Sequence, residues 1–200
     1  MTEAEWTTCR NPDEMLDYHK MKKAPRRLRL LAAACVRRVV TGLPEAGELV
    51  DVVERYADGT ATRAEFLAVR KQSRRAGKDG SSEWKLIERL TDDAMEGMTA
   101  AIAWARHPGG REAKEAECTL IRDLFRGLYY AMAFDPSWRI PTVVDLARTM
   151  YESGDFAGMP VLADAIQEAG CEDEAVLRHC RAGGLHARGC WVVDAILGRE

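Results

Sequence analysis

The sequence predicts an all-α protein, an irregular bundle of about eight to ten helices. Three observations carry this. Apolar residues recur at spacings of three and four along most of the chain and almost nowhere alternate as a strand would. Prolines stand where helices begin, at Pro12, Pro25, Pro44, Pro141 and Pro160. Glycines follow where they end, at Gly42, Gly59 and Gly154.

Taken in order, Asn11-Pro12 opens a helix carrying Met15, Leu16 and His19 and closing at the basic KMKKA segment. Pro25 starts PRRLRLLAAACVRRVV, where Leu28, Leu31, Cys35 and Val39 form one stripe and the arginines flank it. Pro44 opens a third helix with Leu49, Val52, Val53 and Tyr56 inward. Thr62 and Glu65 form a capping box for the fourth. The GKDGSS segment, residues 77–82, reads as a loop and as the one candidate subdomain boundary in an otherwise single domain spanning 1–200.

A long helical region follows from Ser82, with Trp84, Ile87, Leu90, Ala94 and Met98 on one face. It continues through Trp104 and breaks at His107-Pro108-Gly109-Gly110. The next helix turns Cys118, Ile121, Leu124, Phe125 and Leu128 inward. Phe134 to Trp138 is a turn, and Pro141 starts the helix that ends at Gly154. Three short helices complete the chain, FAGMPVLADAIQEAG, EDEAVLRHCRAGG and GCWVVDAILGRE.

Composition narrows the class. The chain has 200 residues, 46% hydrophobic and 30% charged. A chain of that length buries roughly 70% of its unfolded surface and needs no disulfide staples. No apolar run approaches the ~20 residues that span a bilayer, and the acidic N-terminus lacks a leader pattern. Six cysteines in such a chain point to reduced thiols and a cytoplasmic location. Charge is uneven: residues 1–100 hold 18 Lys+Arg against 17 Asp+Glu, and residues 101–200 hold 11 against 15.

The chemistry-bearing residues crowd the last thirty positions. Cys171, Cys180, His186 and Cys190, with His179 as an alternative to Cys180, could supply the four N or S ligands that zinc needs. The spacing contains no C-x-x-C knuckle, so the competing expectation is that Cys180 and Cys190 are small core residues and that no cofactor is bound. Cys190 near a helix start, with His186 before it and Asp194 after it, also spells a Cys-His-Asp set, although a triad is defined by geometry. His179 and Cys180 point about 100° apart on a helix, which weakens them as a pair.

Basic residues give a second candidate. Lys22, Lys23, Arg26, Arg27, Arg29, Arg37 and Arg38 are dense enough for phosphate contacts. A pI near 5.9 and the absence of a recognisable nucleic-acid motif favour an acidic protein partner over nucleic acid. Trp138, in a D-P-S-W turn, is a candidate groove-lining residue. No phosphate loop, H-E-x-x-H or G-x-S-x-G is present.

The opening TEAEWTTC, the segment MLDYHKMKKAPRRLRLLAAACVRR and the tail from Met159, with its H-x-R-G-C-W-V-V-D run at His186 to Asp194, resemble a large uncharacterised family of bacterial proteins. Members of that family are alike at both ends and differ in an alanine-rich helical middle. The likeness covers about half the chain. It implies one all-helical unit and no assigned activity, so it transfers no catalytic residue.

These readings together give the expected function, a non-enzymatic protein-interaction or accessory module of the bacterial cytosol. The alternatives are a helical domain with a structural or redox-sensing Cys/His metal site, and a nucleic-acid-associated protein using the basic helix.

Overall fold

A computed structural model describes residues 2–16, 23–91, 95–106, 109–129 and 134–199. Among them there are twelve α-helices, ten of seven residues or more, and no strand. The all-α expectation holds. The contacts gather into two compact units, Met1–Ile121 and Arg122–Glu200, and the 77–82 segment lies within the first.

The first unit holds α1 (Glu3–Thr8), α2 (Pro12–Met15), α3 (Pro25–Val39), α4 (Pro44–Ala57), α5 (Arg63–Ala76), α6 (Ser82–Leu90) and α7 (Met95–Arg106), with the start of α8 (Gly110–Tyr129). Helix α1 is not among the expected helices, yet its signal is present. Thr2 and Glu5 form the same capping box that Thr62 and Glu65 form at α5.

Helix α3 packs against α4, α6 and α7. It is therefore buried on nearly every side, from Leu28 through Val36, rather than along one stripe. Arg29 shows what this does to a residue expected on the flank. Its side chain is only 8% exposed, and its guanidinium lies 4.8 Å from the Phe66 ring centre and donates to the Leu90 carbonyl at 3.1 Å.

The expected loop at 77–82 is mostly ordered turn. A 3₁₀ turn at Gly77–Asp79 continues α5, and α6 begins at Ser82. Gly77 fits there because a Cβ would meet the Cβ of Trp84 at 2.9 Å. Helix α6 ends at Leu90 and α7 starts at Met95, so the long helix expected from Ser82 is two helices.

Buried charge in this unit is paired. Arg106 Nε donates to Glu117 at 2.6 Å, and its Nη1 reaches Asp13 at 3.0 Å. Burial pushes the Glu117 carboxyl above its ordinary value, and the hydrogen bond from Arg106 only partly offsets this.

The second unit holds the end of α8, a 3₁₀ turn at Pro136–Trp138, and helices α9 (Pro141–Ser153), α10 (Met159–Glu168), α11 (Glu174–Arg181) and α12 (Trp191–Leu197). Helix α9 packs on α10 and α12, and α10 packs on α11. Their shared core includes Val143, Leu162, Ile166, Val176, Cys180, Val192 and Val193. No described helix is long and apolar enough to cross a membrane.

Candidate metal centre

Asp123 on α8, His179 on α11, His186 in the connection that follows and Cys190 at the N-cap of α12 converge. All four belong to the second unit. One ligand atom from each lies within 4.8 Å of every other.

Local chemistry explains each placement. Asp173 caps α11 by accepting from the amides of Ala175 and Val176. That fixes the helix register, so Val176, Leu177 and Cys180 face the core and His179 faces the cluster. Gly189 adopts φ 94°, a left-handed value that glycine takes without a Cβ penalty. The turn it makes closes with the Cys190 amide donating to the Ala187 carbonyl at 2.9 Å. Arg188 anchors the same segment by donating to the Tyr151 and Glu152 carbonyls, both at 2.8 Å.

Asp123 divides its two oxygens. Oδ2 accepts from the Ala187 amide at 2.9 Å. Oδ1 lies 2.7 Å from His186 Nδ1 and 3.1 Å from His179 Nε2. That His179 nitrogen is also 3.2 Å from Cys190 Sγ. The Nε2 atom of His186 is buried without a hydrogen-bond partner. The rings of His179 and His186 meet edge to face at 5.0 Å, and Trp191 stands 5.0 Å from His179.

The electrostatics match an anionic carboxylate beside a neutral thiol. Burial pushes the Asp123 carboxyl up, but the hydrogen bonds and charges of His179 and His186 outweigh it and leave it below its ordinary value. Burial, and then the charge on Asp123, push the Cys190 thiol well above its ordinary value. Such a thiol is inert until a cation replaces its proton.

Two ring nitrogens face one carboxylate oxygen, and one of them also faces the sulfur, which is not the geometry of a relay. A Cys-His-Asp relay uses the two different nitrogens of one imidazole. Here a single nitrogen of His179 faces both sulfur and carboxylate, and the carboxylate beside His186 is Asp123, not Asp194.

Three of the four positions in the expected set thus come together, and Cys171 does not. His186 and Cys190 are brought together, and His179 takes the place that Cys180 could have filled. Cys180 follows His179 by one residue and so points away into the core, where burial, then Asp123 and Cys171, raise its thiol to about 12. Cys171 is also core; its amide caps α10 through the Ile166 carbonyl at 3.1 Å. Asp123 is the member of the cluster that the sequence reading passed over. It follows Leu120 by three residues, on the buried stripe of α8, and an acid on such a stripe is the signal that marks it.

No family model, no curated protein and no solved structure matches the chain.

The basic candidates are spread rather than gathered. Arg26 pairs with Asp58 at 2.9 Å, and Arg37 pairs with Asp51 at 2.7 Å and Glu54 at 2.9 Å. Arg29 is buried as described, and Arg27 is half-buried. Lys23 and Arg38 are exposed, while Lys22 lies outside the described residues. Helix packing has drawn Arg26, Arg29 and Arg37 into internal bonds, so α3 does not present the continuous phosphate-binding face that the spacing suggested. Trp138 packs edge-on against Phe134 at 5.2 Å, over the core of the second unit.

Proposed function

We propose that this chain is a non-enzymatic accessory protein of the cytosol whose C-terminal unit is held together by one zinc ion bound by Asp123, His179, His186 and Cys190. The observation that supports this is the convergence of one oxygen, two ring nitrogens and one sulfur in a buried place. Zinc takes this donor mixture tetrahedrally, with bonds that put neighbouring ligand atoms roughly 3.3–3.8 Å apart. The separations of 2.7, 3.1 and 3.2 Å are shorter than that range, as expected of donors held by hydrogen bonds and not yet spread around an ion.

Charge supports the same reading. A divalent ion, one thiolate, one carboxylate and two neutral imidazoles sum to zero, which a buried site tolerates best. The role is structural because catalytic zinc keeps a position open, whereas four protein ligands close the shell. The two imidazole side chains are only 15% and 6% exposed. Six cysteines outside any disulfide suit a reducing compartment.

The test is elemental analysis of purified protein with thiol titration before and after chelation. About one zinc per chain is expected, with a thiol that becomes reactive once the chelator acts. A metal-free protein that neither takes up zinc nor changes stability with it would overturn the reading.

A further inference from the structure

Leu67, Arg70, Lys71, Arg74, Arg75 and Lys78 line one open groove in the first unit. Their spacing of three, one, three, one and three is that of a single stripe along a helix. Helix α5 therefore has two stripes. Phe66, Val69 and Ser73 are buried, and the second stripe is basic. From Leu67 to Arg75 it runs about 12 Å at helical rise, and Lys78 extends it into the 3₁₀ turn. Arg74 meets Glu88 at 2.6 Å, and Arg70 lies 3.9 Å from the same carboxylate. Two of the five cations lining the groove thus meet Glu88. The α5 macrodipole accounts for cations in its last turn. It does not account for Leu67, which is 45% exposed at the other end of the stripe.

We propose that this groove docks an acidic amphipathic helix of another protein, with Asp or Glu along its seam and an aliphatic residue against Leu67. Charge complementarity sets the sign of the partner, and the three-four spacing is the one that facing helices share. Leu67 selects peptide over nucleic acid. A phosphate backbone is bound by cations and hydrogen-bond donors and leaves an exposed leucine with nothing to bury against. This surface is independent of the metal centre.

The experiment is fluorescence anisotropy on the full-length protein with three labelled probes. These are a synthetic helical peptide carrying Glu and one Leu at the seam spacing, the same peptide with that Leu changed to Ser, and a mixed-sequence DNA duplex. The leucine peptide is expected to bind, more weakly as salt rises. Lys71→Glu combined with Arg75→Glu should abolish binding. Leu67→Ala, or the serine peptide, should weaken it about tenfold. All three positions are exposed, so circular dichroism should show unchanged folding. Tighter binding of duplex than peptide, with Leu67→Ala neutral, would overturn the proposal in favour of a phosphate surface. No peptide binding, or equal binding by the charge-reversed variant, would reduce the stripe to a solvated face.

Discussion

Nε2 of His179 lies 3.2 Å from Sγ of Cys190, across the last turn of α11 and the first residue of the α12 cap. The same nitrogen lies 3.1 Å from Asp123 Oδ1, so one atom of His179 faces both a sulfur and a carboxylate. Removing one donor therefore tests the centre directly. Asp123→Asn keeps the shape and removes the charge. It should lower zinc affinity by more than about a hundredfold, since changes in outer-shell residues already cost 10–100-fold. Competition against a chromophoric chelator measures it.

Chelation should destabilise the second unit specifically. A ligand bound only by the folded state adds about 2.7 kcal/mol when present at a hundred times its dissociation constant. Thermal melts should thus shift with free zinc. Hydrogen exchange should lose protection across 174–197 on chelation, while α3 amides stay protected.

Arg188 is a positioning residue for His186 and Cys190. Its two bonds to the carbonyls ending α9 use the planar fork of a guanidinium. Arg188→Ala should weaken zinc binding about tenfold, and Arg188→Lys should rescue it only in part. A variant with wild-type zinc affinity and a lowered melting point would show a purely structural role.

Arg106 and Glu117 make a separate test in the first unit, with side chains 14% and 2% exposed. Arg106→Met strands a buried carboxylate and should cost about 3–5 kcal/mol at neutral pH. With the arginine gone, burial acts on Glu117 against only the weaker pull of Lys114 and lifts its folded pKa further. A folded pKa above the unfolded one means that stability falls as pH rises between the two. The deficit should accordingly shrink as pH is lowered. Adding Glu117→Leu should recover most of it, and urea titrations at two pH values read both effects.

Leu31 is fully buried at the centre of α3. Leu31→Ala should cost about 2–5 kcal/mol through lost burial and the cavity left behind. Cys35→Asp should be at least as damaging, because it places an unpaired charge in the same helix. Wild-type-like melting of both would mean that α3 faces the other way.

The helices themselves were largely legible. Pro25, Pro44 and Pro141 mark starts, Gly154 marks a stop at φ 72°, and the box at Thr62 and Glu65 forms as its spacing says. The burial of α3 was half legible, since periodicity shows one face but not how many neighbours a helix will have. The LLAAACV run was the better guide. The candidate centre was legible only in its local part. His186 and Cys190 are four residues apart, whereas Asp123 is a helix residue far upstream whose role depends on tertiary packing. The basic residues failed as a set for the same reason, because Arg26 and Arg37 are claimed by acids on α4 and at its C-cap.

The Ala187–Asp123 hydrogen bond joins residues 64 apart. Most packing in the second unit is between consecutive helices, which can form in sequence order. Bringing position 123 to position 187 instead closes a loop whose entropy cost is about 4 kcal/mol. The kinetic corollary is that the local helix pairs assemble first and this long closure last, with the four donors absent as a group until it is made. Zinc uptake would then report the final folding step of the unit, and unfolding would begin by releasing the ion.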